Sequence, residues 1–317
     1  MSDNEVLEKI YSRYRDNIFI NNPKDSGSKC VVNIVYNQSF NQIKPLLSII
    51  MPIYNQEDIV INNINSVFKY TSDMYYEIII ILDACSDNTK NNLLSLMKKF
   101  NPPSFLVKII IIESYIPMFE TQSDNLGFYL SDSKYVLEIQ ADMEMTEYGY
   151  NNKLLKPFLT NPNIIGISGR CCHGLRDPEE CVGKCGMNIE KDLLNNIDRN
   201  AYYIAETCNR GPLLLDNYKL KELGYLDEVN YFLDDSDHDL FARAYYYKKW
   251  ICGYSPIEFK TSLKNGSTRK SRDAINSKYL NLKSRLTNGG INGFLKKYKE
   301  MNLPYRPIVK YNFNDSS

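Results

Sequence analysis

The chain has 317 residues with 38 basic and 38 acidic side chains, and this zero net charge argues against a general polyanion-binding role. Hydrophobic residues make up 43% and charged residues 24%, which excludes wholesale disorder and leaves ample material for a buried core. No apolar run approaches the roughly 18 to 20 residues that cross a bilayer, so we expect no transmembrane segment.

The N-terminus is acidic and polar instead of basic and then apolar, so we expect no secretory signal. The 8 cysteines are scattered too sparsely for a disulfide scaffold. We therefore expect reduced thiols, a cytoplasmic location and no nucleic-acid partner.

Residues 1–44 are polar and are predicted to be an N-terminal extension with one weakly periodic helical stretch. From residue 45 to residue 260, short apolar runs alternate with longer amphipathic stretches. The runs LLSIIMPIY, EIIIIL, FLVKIIII and KYVLEIQ predict buried strands, and residues 58–70, 88–100 and 124–131 predict helices between them. This alternation predicts an α/β fold with a mostly parallel sheet flanked by helices.

The second half of the chain is less regular. A loop rich in Cys and Gly over residues 171–186 precedes a predicted helix over residues 190–196. Residues 261–317 are predicted to be a C-terminal extension, with a basic polar segment followed by a helix through Lys299.

Polar residues follow the first two predicted strands, where ligands bind in open α/β sheets. Pro52, Tyr54 and Asn55 follow the first strand, although turn chemistry alone explains these residue types. Asp83 opens a polar stretch after the second strand, and an acidic or amide side chain there also suits the cap of the next helix.

Two further clusters are more acidic. Asp142 and Glu144 follow the strand that ends near Ile139, and carboxylates at this spacing can converge on Mg²⁺ or Mn²⁺ or remain solvated turn residues. The stretch 234–239 holds four aspartates and His238. Such crowding raises carboxyl pKa values unless a cation or donor compensates, so this stretch indicates either a general base or an acidic helix start.

Together these clusters place carboxylates at successive strand ends on the ligand side of one sheet. No Gly-rich phosphate loop follows the first strand, which disfavours the dinucleotide-binding and P-loop chemistries. We therefore expect any nucleotide to be held through a metal ion and side chains.

The order SIIMPIYN, IILDACSDNT, NLGFYLSDSKYVLEIQADME and LGYLDEVNYFLDDSDHDLFARA resembles the family 2 glycosyltransferases of the GT-A, Rossmann-like fold. Members of that family are generally inverting, metal-dependent enzymes that move a sugar from a nucleotide-sugar donor to an acceptor hydroxyl. The resemblance implies Mn²⁺ or Mg²⁺ as cofactor, a UDP- or GDP-sugar as donor, and a glycan or other hydroxyl compound as acceptor.

The resemblance also implies roles for single residues. Pro52, Tyr54 and Asn55 would line the base and ribose pocket, and Asp83 would contact the nucleobase. Asp142 would face the ribose or the metal ion.

In the same way, Glu144 would bind the cation and Asp237 would be the general base. Arg210, in the sequence NRGP, would lie near the diphosphate or the acceptor.

The chain departs from the family pattern at Leu82, where a second aspartate is common, and at Glu144, where aspartate is usual. Ser236 replaces a common glutamate, so the base could instead be Asp235 or Asp239. The basic side chains at positions 264, 269, 270 and 272 form either a lid over the diphosphate or a solvated charge run.

Other functions stay open at this point. A sugar-phosphate nucleotidyltransferase would share a related sheet, and a non-catalytic protein that binds nucleotide sugars or carbohydrates would tolerate the changes at Leu82 and Glu144. Cys171, Cys172, His173, Cys181 and Cys185 could bind zinc or be buried thiols. His238 is either a metal ligand or base partner, or a surface histidine.

Overall fold

The computed structural model describes residues 2–14, 30–38, 43–115, 117–176, 180–184, 197–231, 235–261 and 291–313. Its helices are α1 Asp3–Tyr14, α2 Val60–Tyr70, α3 Thr89–Met97, α4 Phe119–Leu130, α5 Tyr150–Thr160, α6 Asn217–Glu222, α7 Ser236–Lys248 and α8 Ile291–Met301. Its strands are β1 Cys30–Asn37, β2 Leu47–Ile53, β3 Tyr76–Asp83, β4 Leu106–Ser114, β5 Tyr135–Glu138, β6 Met143–Met145, β7 Ile164–Ser168, β8 Cys171–His173, β9 Cys181–Gly183, β10 Ala201–Ala205, β11 Thr207–Cys208, β12 Leu213–Asp216, β13 Ile251–Tyr254, β14 Phe259–Thr261 and β15 Val309–Asn312.

A ten-stranded sheet in the order β1-β4-β3-β2-β5-β12-β7-β13-β10-β15 forms the centre of the molecule. The four strands β4, β3, β2 and β5 run parallel, and the helices α2, α3 and α4 lie in the connections between them. The α/β fold predicted from the sequence is confirmed. Strand β12 runs antiparallel to both of its neighbours and separates this parallel half from the second half.

The parallel strands are apolar throughout because both faces of the sheet are covered. In β3, the side chains of Ile78 and Ile80 pack into one core cluster, and those of Ile79 and Ile81 pack into another. Each of these four side chains has no exposed surface. This double burial explains why the strand was recognisable as a continuous hydrophobic run.

Helix α4 begins at Phe119, five residues before the start at Asp124 that the sequence pattern predicts. The added turn begins where the Asp83 carboxylate accepts the backbone N–H groups of Met118 and Phe119. A distant side chain therefore satisfies N–H groups that a helix start leaves without partners. The predicted helices over 58–70 and 88–100 are confirmed as α2 and α3 with shifted ends, and the one over 190–196 lies outside the described residues.

Both predicted extensions contribute strands to the central sheet. Strand β1 pairs with β4 at one edge, and β15 pairs with β10 at the other. Helix α1 buries Val6 and Ile10 in the core, so the described N-terminal residues are packed against the sheet and not detached from it. The division into 1–44, 45–260 and 261–317 remains a prediction about domain limits, and the basic segment 264–272 lies outside the described residues.

Candidate active site at the carboxyl end of the parallel strands

The loops after β2 and β3 are tied together by an amide side chain. Asn55 accepts the backbone N–H of Ser86 at 2.8 Å and donates to the Ser86 hydroxyl at 3.3 Å. Asn55 itself has a φ of 49°, a left-handed conformation that asparagine tolerates. Pro52 and Tyr54 are half-buried beside it, so three predicted pocket residues occupy one rim of the sheet.

Asp83 ends β3 and is almost fully buried, with 6% of its surface exposed. Its two carboxylate oxygens accept the Met118 N–H at 2.6 Å and the Phe119 N–H at 2.9 Å. Burial raises the pKa of Asp83 to about 6, against the lowering effect of these two N–H donors. The carboxylate therefore anchors the start of α4, and a nucleobase would have to bind the remaining lone pairs of this carboxylate.

A buried carboxylate cluster lies where α4 faces the end of β5. It consists of Glu120, Asp124 and Glu138, each with an oxygen within 4.8 Å of the others, and among the described residues it is the group that could hold a metal ion. Burial raises the pKa of Asp124 to about 8, although Arg210 opposes the shift. Burial and the neighbouring Asp124 raise the pKa of Glu138 well above its ordinary value.

Sequence reasoning missed this carboxylate cluster. Glu138 ends the apolar strand KYVLE, and it has no exposed surface. A carboxylate inside an apolar run that predicts a buried strand requires a polar partner. This requirement is the signal that could have revealed the carboxylate cluster.

Arg210 is the basic side chain within this group, and it is 94% buried. Its guanidinium donates to Asp124 at 2.9 Å and lies 3.6 Å from a Glu120 oxygen. Its backbone N–H donates to Asp237 at 3.0 Å. Any contact between Arg210 and a diphosphate would therefore compete with carboxylates that already hold the guanidinium.

Asp237 lies in the first turn of α7 and is 5% exposed. Its oxygens accept the backbone N–H groups of Arg210 at 3.0 Å and His238 at 2.9 Å. Burial raises the pKa of Asp237, but the neighbouring His238 ring, the Arg210 guanidinium and these N–H donors outweigh it, and the net shift is downward. Asp237 is therefore ionised at neutral pH.

The loop 209–212 joins the two acidic regions. Arg210 contacts Asp237, and the N–H of the next residue, Gly211, donates to Glu138 at 2.8 Å. A Cβ added at Gly211 would come within 2.6 Å of Met143 and 2.9 Å of Gln140, the residues on either side of the stretch 141–142. This loop thus contacts both the predicted base and the residues that flank Asp142.

Asp142 and Glu144 belong to this rim but not to the carboxylate cluster. Both are half-buried, and Glu144 lies in β6 opposite Lys260 of β14. Their assignment as metal ligands stays a prediction.

The alternative bases differ from Asp237 in their surroundings. Asp239 has no exposed surface and pairs with Arg243 at 2.6 Å and with Lys297 of α8 at 2.5 Å. Asp235 is half-buried in a left-handed conformation that precedes α7. The two ion pairs occupy both carboxylate oxygens of Asp239, whereas Asp237 faces N–H groups and an arginine that it shares with other acids.

His238 is largely buried, so the alternative interpretation of His238 as a surface histidine does not hold. Its Nδ1 lies 2.8 Å from the Thr207 hydroxyl, and its ring packs edge-to-face against His173 with centroids 4.9 Å apart. Burial lowers the pKa of His238, although Asp237 opposes the shift, so the ring is neutral at pH 7. It stands beside the predicted base.

The cysteines of the 171–186 loop do not form a group of three metal-binding atoms within the described part of the chain. Strands β8 and β9 pair so that His173 lies opposite Cys181. Cys171 and Cys172 are buried and Cys181 is exposed, while Cys185 lies outside the described residues.

No helix in the described residues is both long and apolar enough to cross a bilayer.

Comparison with known proteins agrees with this geometry. The sequence model described as "Glycosyl transferase family 2" matches residues 48–179. The fold is similar to GalNAc-T7, solved with UDP, GalNAc and Mn²⁺, with a TM-score of 0.51 and 13% identity over 68% of this chain and 43% of that one. It is also similar to the mannosyltransferase PcManGT from Pyrobaculum calidifontis, solved with GDP-Man and Mn²⁺, with a TM-score of 0.50 and 12% identity over 86% of this chain and 72% of that one.

No curated protein matches the chain in sequence. The chain spans less than half the length of the GalNAc-T7 chain, and at these identities the structural likeness concerns the fold alone. The central sheet and its likeness to these two structures show a fold of the GT-A type. The matched stretch, residues 48–179, is less than half of the chain, and over it the sequence is similar to glycosyl transferase family 2.

Proposed function

We propose that the protein is an inverting, divalent-metal-dependent glycosyltransferase that moves a sugar from a UDP- or GDP-sugar to the hydroxyl of a glycan or other acceptor. The family match supports glycosyl transfer, and the bound UDP and GDP-Man of the structural neighbours support the choice of donors. The observation that carries the proposal is the loop 209–212, which contacts Asp237 on one side and the residues flanking Asp142 on the other.

Asp237 is the general base of the proposed reaction. Inversion by single displacement requires a base that takes the proton of the acceptor hydroxyl as its oxygen attacks the anomeric carbon. Asp237 is ionised at neutral pH because its pKa is lowered, and two backbone N–H groups fix its orientation. A base of low pKa accepts the proton late, after the new glycosidic bond has largely formed.

The donor lies, in this proposal, against the rim formed by the loops after β2 and β3. Pro52, Tyr54 and Asn55 line the base and ribose pocket, and the link from Asn55 to Ser86 keeps the two loops in register. Asp83 positions this rim by anchoring α4, in addition to the predicted contact with the nucleobase.

Asp142 and Glu144 suit a hard divalent ion because both offer carboxylate oxygens that are half exposed. A bound Mn²⁺ or Mg²⁺ would supply neutralisation of the negative charge on the departing diphosphate. Arg210 adds positive charge to the same region while its backbone N–H holds the base.

The test measures transfer with a panel of UDP-, GDP- and CDP-sugars, detecting release of the nucleoside diphosphate. Wild-type protein should turn over one class of donor, and Asp237→Asn should lower kcat by about 10²- to 10⁴-fold because the base is lost while the shape is kept. Asp235→Asn, which removes an equal charge two residues away, should retain activity.

Transfer by Asp237→Asn at the wild-type rate would refute the base. Release of pyrophosphate from a nucleoside triphosphate and a sugar 1-phosphate, with no transfer from any nucleotide sugar, would instead support a sugar-phosphate nucleotidyltransferase. Binding of nucleotide sugar with no turnover of any donor would support the non-catalytic function.

A further inference from the structure

Three acidic side chains of the carboxylate cluster share one guanidinium, so ionisation of all three would leave excess negative charge. Asp124 and Glu138 have no exposed surface, and Glu120 is 22% exposed. Arg210 supplies a single positive charge to the three carboxylates and also faces Asp237. Excess negative charge in a buried region is costly unless a cation or proton compensates it.

Two oxygens in the carboxylate cluster have no hydrogen-bond partner among the described residues. Asp124 binds Arg210 through Oδ2 and leaves Oδ1 unpaired. Glu138 accepts the Gly211 N–H through Oε2 and leaves Oε1 unpaired. Buried carboxylate oxygens are rarely left without a partner, so each of these atoms indicates a ligand that completes its bonding.

We propose that the carboxylate cluster is a divalent-cation site, with Asp124 and Glu138 as its buried ligands and Glu120 as the ligand on the accessible side. Oxygens that bind one Mn²⁺, Mg²⁺ or Ca²⁺ at about 2.0 to 2.6 Å lie at most about 5 Å apart, and this agrees with the spacing of up to 4.8 Å in the cluster. An all-carboxylate set selects hard cations of this kind.

This site differs from the one predicted at Asp142 and Glu144. A cation at the carboxylate cluster would lie beneath the loop 209–212, because Gly211 and Arg210 both bond to its ligands. It would thereby fix the loop whose backbone holds Asp237. The inference goes beyond the proposed function, because it adds a cation site separate from the one proposed at Asp142 and Glu144, and binding of this ion needs no sugar transfer.

The experiment measures Mn²⁺ binding to the full chain by electron paramagnetic resonance, without nucleotide, after removal of metals by chelation. The main variant is Glu138→Gln, which keeps the side-chain shape and an acceptor for Gly211 but removes the charge. Asp124→Asn is the second variant, and Glu222→Gln, which changes an exposed carboxylate of α6 outside both predicted sites, is the control. Circular dichroism establishes whether each variant folds. If Asp124→Asn does not fold, the Mn²⁺ affinity of Glu138→Gln alone decides the test.

We expect the wild type to bind Mn²⁺ at this site, with affinity lower by about tenfold or more in Glu138→Gln and Asp124→Asn and unchanged affinity in Glu222→Gln. Equal affinity in all variants would overturn the inference. Absence of Mn²⁺ binding in the wild type would also overturn it, and would mean that protons neutralise the cluster.

The two hypotheses fail separately. A protein that binds Mn²⁺ through Glu138 but transfers no sugar contradicts only the proposed function. A protein that transfers sugar while Glu138→Gln leaves Mn²⁺ affinity unchanged contradicts only the cation site.

Discussion

Replacing Gly211 by alanine adds a single methyl group, yet it should destabilise the protein strongly. Gly211 has a φ of +67°, and an L-residue in this left-handed region costs about 1 to 2 kcal/mol. The added Cβ would lie 2.6 Å from the Met143 methyl group and 2.9 Å from the Gln140 amide, and such overpacking costs about 1 to 3 kcal/mol. We therefore expect Gly211→Ala to lower the free energy of unfolding by about 2 to 5 kcal/mol.

Gly224 provides the matched control, because its φ is +78° but no atom lies within 4 Å of the added Cβ. Gly224→Ala should therefore cost only the conformational part, about 1 to 2 kcal/mol. Urea unfolding followed by circular dichroism measures both variants. Equal losses of stability would show that the loop 209–212 is not packed tightly against Gln140 and Met143, and would remove the structural link between the two acidic regions.

Three further predictions concern stability. The pKa of Asp83 is raised from 3.8 to about 6, so its contribution favours folding at low pH and is lost as pH rises. Between pH 4 and pH 7 the free energy of unfolding of the wild type should therefore fall by about 2 kcal/mol more than that of Asp83→Asn, and parallel curves would contradict this. Lys297→Met should lower the free energy of unfolding in urea by about 1 kcal/mol, because it removes one partner of the buried Asp239. The control Lys299→Met changes an exposed lysine and should lower it by almost nothing, and equal effects would refute the role of the ion pair. Ser48→Ala should cost about 1 to 3 kcal/mol by the same assay because its hydroxyl donates to a buried carboxylate at 2.6 Å, and an unchanged midpoint would show that this bond adds nothing.

The parallel half of the fold could be predicted because short stretches of its sequence show the hydrophobic pattern of each strand and helix. Strands buried on both faces are apolar at every position, as in the run from Ile78 to Leu82, and the intervening helices follow at regular intervals. The other half has strands of two to five residues, such as β12 and β13, and their pairing partners are distant in the chain. Pairing between such strands depends on tertiary contacts that no short window of sequence contains.

The candidate site was predictable where residue type and position in the fold agree. The predictions that Asp83 and Asp237 stand at strand and helix ends on one rim follow from the rule for open α/β sheets. The carboxylate cluster was not predictable, because Glu120 and Asp124 lie on a helix whose start is set by a side chain from another strand. Its formation depends on the packing of α4 over β2 and β3, which brings these acids to Glu138 at the end of β5, and their spacing in the sequence gives no sign of it.

The two ends of the chain close the two edges of the central sheet, and this decides where the protein can be cut for recombinant expression. A fragment trimmed to the family match, residues 48–179, would lose β1 and expose the isoleucine-rich edge of β4. A fragment ending at residue 261 would likewise strip β15 from β10. Bare strand edges of this kind recruit other strands, so cloning boundaries that omit residues 30–37 or 309–312 should yield material that aggregates in the expression host.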